Sequence, residues 1–112
     1  MGAEENSVVD ACLQLLGYRH IEAWRNNNQA VFDPTRKCFR KLAKGCIHGV
    51  PDIAGYFQDG KALFVECKKP GGKASPDQKI FLEKAIKAGC FATCVDNANE
   101  LDRQLNLWQR RV

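Results

Sequence analysis

The chain has 112 residues, a formal net charge of +4 and six cysteines. A chain of this length buries roughly two-thirds of its unfolded surface, so we expect one domain over residues 1–112 that folds without disulfides. No apolar run approaches the roughly 20 residues that span a bilayer, and no secretory signal pattern opens the chain. We therefore predict no membrane partner, a cytoplasmic location and reduced cysteines.

Basic residues fall into two groups. The first lies between residues 28 and 48 and consists of Arg36, Lys37, Arg40, Lys41 and Lys44. The second follows residue 66 and consists of Lys68, Lys69, Lys73 and Lys79. Such groups attract polyanions through the release of condensed counterions, although each is equally consistent with an ordinary solvated face.

The first part of the chain predicts a helix, a short strand and an irregular excursion. Apolar residues at helical spacing predict a helix from about Glu4 to Leu16, with Gly17 as its stop. The alternation in "HIEAWRNNN" predicts a strand that runs into a turn of asparagines. Residues 29–49 show no regular period, which predicts an excursion from the core with room for a hairpin.

A β-hairpin is predicted over residues 49–70, with its turn at "QDG". A two-residue turn would place Asp52 opposite Cys67 and turn Glu66 to the other face. A three-residue loop with Gly60 in the left-handed conformation would instead place Asp52 directly opposite Glu66, with Cβ atoms about 5 Å apart. The residues alone leave both registers open.

The last part of the chain predicts a helix, a strand and a second helix. In "SPDQ", Ser75 suits the N-cap and Gln78 completes a capping box, while Gly89 suits the end of that helix. "CFATCVD" predicts a strand, and the final helix starts at Asn97. A strand, helix, strand unit implies a parallel crossover, whereas the hairpin is antiparallel. We therefore predict an α/β fold with a mixed central sheet, helices on both faces and the order α-β-β-β-α-β-α.

Asp52 and Glu66 are candidates for a cation site if the three-residue loop forms. Two close carboxylates repel unless something positive lies between them, and oxygen ligands of this kind select Mg²⁺ or Mn²⁺. Lys68 projects to the same face of the strand as Glu66. In phosphodiester hydrolysis such a lysine could orient a water or offset developing charge. Composition alone favours the simpler alternative of solvent-facing charges.

The order of several motifs resembles a known family. "GVPDI", then "VECK", then "PGGKASPDQKIFLEKAIKAGCFATCVDNANEL" are similar to the catalytic core of the PD-(D/E)XK nucleases, and specifically to the virus-type replication-repair nuclease (VRR-NUC) domain. The opening helix and "WRNNN" fit the upstream part of that domain, so the likeness covers nearly the whole chain. It implies a restriction-endonuclease-like core.

The resemblance also implies a metal site. Asp52 and Glu66 match the acids that bind Mg²⁺ or Mn²⁺ in this family, and the backbone carbonyl of Cys67 is a further ligand. Lys68 matches the catalytic lysine. Cys67 occupies the variable middle position of the Glu-x-Lys motif, and no part of the motif is missing.

Two further residues are assigned by the resemblance with alternatives beside them. Gln78 matches a catalytic-site glutamine at the start of the helix, but a capping box explains it equally well, and both roles can hold together. An acid of the first helix approaches the metal in the family. Glu5 fits that position as a metal ligand, and Glu4 is the alternative.

Residues for DNA contact are predicted around the end of the first strand and in the basic groups. Arg25, Asn26 and Asn27 suit phosphate contacts, although a polar turn explains them slightly better. Trp24 is predicted to pack in the core rather than to stack on a base, because it lies within the strand. The other predicted contacts are Arg36, Lys37, Arg40, Lys41, Lys44, Lys69 and Lys73.

The function that the resemblance implies is a metal-dependent DNA endonuclease acting on branched DNA, such as Holliday junctions, in replication or repair. A homodimer is expected because a small chain has little surface with which to hold two duplex arms. A bacterial or phage-infected cell suits such a protein. Two rival predictions remain: a nucleic-acid-binding module that does not cut, and a flap- or single-strand-directed exonuclease on the same fold.

Overall fold

The computed structural model describes residues 2–26, 32–33, 35, 38–39 and 47–110. In chain order the elements are α1 (Ala3–Tyr18), β1 (Glu22–Arg25), β2 (Phe32–Asp33), β3 (Cys38–Phe39), β4 (Ile53–Tyr56), β5 (Ala62–Cys67), α2 (Pro76–Lys87), β6 (Phe91–Val95) and α3 (Ala98–Arg110). No helix in this part of the chain is long and apolar enough to cross a membrane.

Four strands form a mixed sheet in the order β1-β4-β5-β6. The β1–β4 and β4–β5 pairs are antiparallel, and the β5–β6 pair is parallel because α2 makes the crossover between those strands. β2 and β3 form a separate antiparallel pair within the predicted excursion. The predicted α/β class, the mixed sheet and the order of the main elements are confirmed.

The sequence predicted that the first helix stops at Gly17, and the structure shows a longer helix. α1 continues through Tyr18, and the chain then turns at Arg19 and at His20, which has a φ of 58°. The Arg19 side chain donates hydrogen bonds to the Asp102 carboxylate of α3, at 2.6 and 3.0 Å. A tertiary contact therefore stabilises the end of α1, and the low helix propensity of a single glycine is not sufficient to stop it.

The turn between β4 and β5 is a three-residue loop, residues 58–60, closed by a hydrogen bond between Phe57 and Lys61. The Phe57 N–H donates to the Lys61 carbonyl and the Gly60 N–H donates to the Phe57 carbonyl, both at 2.9 Å. Gly60 has a φ of 92°, which is the left-handed conformation that favours glycine. The resulting register pairs Ile53 with Val65. The three-residue alternative is confirmed, and the two-residue turn is wrong.

The two faces of the sheet are covered unequally. One face packs against α1 and α3, and its buried residues include Ile53, Leu63 and Val65. The opposite face, called the α2 face below, packs against α2 chiefly along β5 and β6. Trp24 of β1 and Tyr56 of β4 are about half exposed. The site described next lies on the α2 face, at the end of β5 where the chain leaves the sheet.

Candidate active site

Each of four neighbouring strands contributes one residue to a row across the α2 face. Glu66 pairs with Cys94 in the parallel ladder, and the β4–β5 register continued by one residue places Asp52 opposite Glu66. Asn26, which follows β1, donates its backbone N–H to the Asp52 carbonyl at 2.6 Å. These four residues are called the carboxylate row.

Asp52 is positioned by a hydrogen bond across the sheet and by the loop that precedes it in the chain. Its Oδ2 accepts a hydrogen bond from the Cys67 backbone N–H at 3.0 Å, which fixes one carboxylate oxygen beside β5. Before it, Gly49 has a φ of 81°, and a Cβ there would lie only 2.6 Å from the Asp77 carbonyl group. Glycine thus lets the loop before Asp52 lie against the first turn of α2. That close approach brings the helix start to the site.

Glu66 is the most unusual side chain in the described structure. It is 2 % exposed, and its Oε2 is buried without a hydrogen-bond partner among the described residues. Burial, together with a hydrogen bond to the adjacent Asp52 and the negative charge of Asp52, raises the pKa of Glu66 to about 9. A buried carboxylate oxygen without a donor requires an explanation, and a cation at that oxygen supplies one.

Two other charged side chains act on Glu66. The positive charge of Lys68 lowers the Glu66 pKa, and the negative charge of Glu5 raises it, so both lie near enough to influence the carboxyl. Glu5 is half-buried on α1, whereas Glu4 is exposed. Asp52, Glu66, Lys68 and Glu5 are therefore brought to one region, as the sequence predicted, while their roles remain predictions.

The Cys67 side chain lies on the other face of the sheet. Its thiol is buried against Cys12 of α1, and this contact and burial raise the pKa of the Cys67 thiol above its ordinary value. Cys67 can therefore serve the site only through its backbone, as expected from the resemblance. Among the described side chains, Cys12, Cys67, Cys90 and Cys94 carry free thiols.

The donor set fits a hard divalent cation, although it is incomplete as a set of side chains. Within the described ranges, no group of three or more His, Cys, Asp and Glu side chains is arranged to hold a metal ion. Asp52 and Glu66 provide two carboxylates, and the further ligand that the resemblance implies is a backbone carbonyl. Mg²⁺ commonly binds through one or two carboxylates and keeps several waters, so this pair with the partnerless Glu66 Oε2 is compatible with it.

Gln78 closes the predicted capping box. Its Oε1 accepts a hydrogen bond from the Ser75 N–H at 2.8 Å, and its own N–H donates to the Ser75 Oγ at 3.3 Å. The cap uses Oε1 and leaves the amide nitrogen of the side chain for a different acceptor. The capping role is confirmed, and the role in the site remains a prediction.

Asp96 is a positioning residue that sequence reasoning missed. Its Oδ2 accepts a hydrogen bond from the Gly71 N–H at 3.0 Å, which holds the loop after Lys68 against the end of β6. Because β5 and β6 are parallel, their carboxyl ends meet at the same edge of the sheet. The sequence feature that could have identified Asp96 is its place directly after the apolar run of β6.

The predicted DNA contacts are placed only in part. Arg25 is exposed and donates a hydrogen bond to the Asn6 side chain of α1, and Asn26 belongs to the carboxylate row. Lys69 and Lys73 are exposed on the loop after β5. The remaining predicted contacts lie outside the described residues: Asn27, Arg36, Lys37, Arg40, Lys41 and Lys44.

The prediction that Trp24 packs in the core is wrong. Trp24 is 50 % exposed and lies edge-on to Tyr56, with ring centroids 6.2 Å apart. Ala23 is the neighbour that packs against the core, so Trp24 must point to the α2 face, where α2 does not reach. The alternation of Ile21 and Ala23 in the sequence could have indicated that Trp24 faces away from the core. The sequence analysis also did not identify Tyr56 as an exposed ring.

Comparison with known proteins gives one family. Residues 5–98 match the family model described as the VRR-NUC domain. The matched range runs from α1 to the start of α3 and includes every residue of the carboxylate row. No curated protein and no solved structure matches the chain.

Proposed function

Because the chain belongs to the VRR-NUC domain family, which indicates a nuclease-type function, we propose that it is a divalent-metal-dependent DNA endonuclease. The proposed reaction is phosphodiester hydrolysis in branched DNA, such as a Holliday junction, during replication or repair. One domain over residues 1–112 would carry the activity, with Mg²⁺ or Mn²⁺ as cofactor.

One observation supports the metal-dependent reaction above the others. Glu66 is buried opposite Asp52, and its Oε2 has no donor among the described residues. If the pair served only the fold, the buried oxygen would be expected to accept a hydrogen bond, as buried polar groups generally do. A carboxylate left without a donor beside a second carboxylate is suited to a cation.

Each residue of the site has a chemical task in the proposed reaction. A divalent metal at these oxygens supplies a water of lowered pKa and polarises a phosphate oxygen. Asp52 and Glu66 would hold the metal, with the Cys67 carbonyl and Glu5 as further ligands. Lys68 would orient the attacking water or offset the charge that develops on the phosphate. In-line attack breaks the bond from phosphorus to the 3′ oxygen and leaves a 5′ phosphate and a 3′ hydroxyl.

Recognition of DNA would depend on the surroundings of the carboxylate row. Exposed Lys69 and Lys73 can contact phosphates beside Lys68, and the amide nitrogen of Gln78 can donate to a phosphate oxygen or to the attacking water. A homodimer would present two sites to the two arms of a branch. Light scattering at several protein concentrations tests that assembly.

A cutting assay tests the proposal. Wild-type protein and a Glu66→Gln variant are incubated with a labelled four-way junction, flap, duplex and single strand, with MgCl₂ or with EDTA. We expect wild type to cut the junction at internal positions only with MgCl₂, and Glu66→Gln to bind without cutting. Binding by wild type without any metal-dependent cutting would favour a binding module, and release of single nucleotides from ends would favour an exonuclease.

A further inference from the structure

Two aromatic rings lie uncovered on the α2 face beside the carboxylate row. Trp24 is 50 % exposed and Tyr56 is 48 % exposed, and their planes meet at 63° with centroids 6.2 Å apart. In the ladders, Trp24 pairs with Ala54 and Tyr56 pairs with Ala62. Short alanine side chains therefore lie beside both rings, and Tyr56 also pairs with the exposed Glu22 of β1. Both rings remain about half exposed.

The position of the rings relative to the acids follows from the strand register. Ala54 is two residues from Asp52 along β4, and Trp24 is two residues from Asn26 along β1. Side chains on one face of a strand are spaced at about 7 Å, so Trp24 lies one side-chain position from the carboxylate row. A nucleic acid whose phosphate reaches Asp52 and Glu66 would thus place an adjacent nucleotide near these rings.

The chemistry of the rings favours an unpaired base over the alternatives. A flat aromatic face can stack on any base, whereas the faces of bases within a duplex are occupied by their neighbours in the stack. The positive charge of Lys68 on the same face attracts a phosphate backbone. The exposed aliphatic side chains Ile47, Ile80 and Ile86 offer no flat face for stacking, and Ile80 and Ile86 belong to α2 rather than to β1.

We propose that Trp24 and Tyr56 form a stacking platform for an unpaired DNA base next to the scissile phosphate, which would lie at the metal held by Asp52 and Glu66. The proposal rests on the proposed function, because it assumes that this phosphate lies at the carboxylate row. It gives the substrate a defined feature: at least one unpaired nucleotide beside the cut, as occurs at a flap, an open branch point or a single strand.

Binding without cutting tests the platform separately from catalysis. In a Glu66→Gln background, the anisotropy of a labelled oligothymidylate is compared with that of a labelled duplex of equal length. Trp24→Ala is expected to weaken single-strand binding roughly 5- to 150-fold, as stacking on one base contributes about 1–3 kcal/mol, and to leave duplex binding within about twofold. Trp24→Phe should keep most of the affinity.

Tyr18→Ala is the matched control, because Tyr18 is 79 % exposed but lies at the end of α1, away from the α2 face. Its affinity for both probes should stay unchanged. Equal losses for the two probes in Trp24→Ala, or no loss for the single strand, would overturn the platform.

Fluorescence of Trp24 gives a second readout that does not depend on a destabilising change at the platform. Trp108 is the other tryptophan and stacks on Phe57, so a Trp108→Phe variant reports Trp24 alone. Saturable quenching by oligothymidylate, with less quenching by the duplex, supports the platform. Equal quenching by both probes, or none, contradicts it. If wild-type protein shows no metal-dependent cutting, the proposed function is refuted. The binding results would still decide whether the two rings stack on a base.

Discussion

Two glutamates of this protein occupy opposite environments. Glu100, in the first turn of α3, is partly exposed and accepts hydrogen bonds from Arg103 at 2.6 and 3.0 Å and from Gln104 at 3.1 Å. Those donors lower the pKa of Glu100 to about 2. Glu66 is buried, its Oε2 has no donor among the described residues, and its pKa is raised to about 9.

The difference separates a carboxylate that serves the helix from one that we propose to bind a cation. At Glu100 the local sequence provides a donor for each oxygen, and Asn97 caps the same helix by accepting from the Glu100 N–H at 2.8 Å. At Glu66 the fold places a second acid opposite, and no described residue donates a hydrogen bond to Oε2. An ionised Glu66 therefore needs a cation that the protein does not itself supply in full.

The largest expected effect is on cutting. Asp52→Asn and Glu66→Gln should each lower the rate of DNA cutting at least about 1,000-fold. Each removes a carboxylate ligand of the proposed metal, whose positive charge would stabilise the transition state. Glu100→Gln, the same chemical change outside the site, should leave the rate within about twofold. Single-turnover cutting of one labelled substrate checks all three variants. If Glu66→Gln and Glu100→Gln lower the cutting rate by similar factors, the different environments of the two glutamates do not reflect a catalytic role of Glu66.

The next effect is on stability without metal. The Glu66 carboxyl ionises near pH 4.5 in the unfolded chain and near 9 in the folded protein, so the unfolding free energy should fall as pH rises across that window. In EDTA at pH 7, Glu66→Gln should be more stable than wild type by roughly 1–3 kcal/mol in urea unfolding.

Saturating MgCl₂ should reverse that order. A metal at 100 times its dissociation constant adds about 2.7 kcal/mol to wild type, and it should add little to Glu66→Gln. Wild type that is equally stable at pH 5 and pH 8 in EDTA would show that burial does not oppose ionisation of Glu66.

A smaller effect separates the two roles of Gln78. Ser75→Ala and Gln78→Ala each break the capping box, and each should lower the unfolding free energy by about 1 kcal/mol. Only Gln78→Ala removes the side-chain amide that we propose to donate to the phosphate or the attacking water, so it alone should lower cutting further, by about tenfold or more. Urea unfolding and cutting rates measured on both variants give the comparison. If the two variants lose cutting equally, Gln78 acts as a cap and nothing else.

The smallest effect belongs to Glu100. Its pKa is lowered on folding, so its contribution to stability is present above about pH 4.5 and is lost as pH falls toward 2. Glu100→Gln should lower the melting temperature slightly at pH 7, and the difference should disappear near pH 2. Thermal unfolding at several pH values measures it. A difference that persists unchanged at pH 2 would show that the Arg103 and Gln104 hydrogen bonds do not depend on the charge.

Local sequence signals were sufficient where short-range physics decides the outcome. Gly60 after Asp59 indicated a left-handed residue, and the hydrogen-bonded loop from Phe57 to Lys61 adopts it. The spacing of Ser75 and Gln78 indicated a capping box that the structure contains. The choice between the two registers of Asp52 and Glu66 needed the loop geometry, because both turns suit the same residues.

Tertiary packing decided what the sequence could not predict. The end of α1 is tied to α3 through Arg19, and Trp24 is exposed on a part of the sheet that lies outside the main contacts of α2. The lack of a donor to Glu66 Oε2 among the described residues arises from the whole arrangement around it, so no spacing of residues in the sequence predicts it. The candidate acids were recognisable from their motif, whereas their electrostatic environment was not.

The most direct test of the shared-cation account is the binding of Mn²⁺, followed by the electron paramagnetic resonance signal of the free ion. Wild type should bind one Mn²⁺ per chain at the carboxylate pair, Glu100→Gln should bind the same amount, and Asp52→Asn and Glu66→Gln should lose that site. Undiminished binding of one Mn²⁺ per chain in Glu66→Gln would contradict the account.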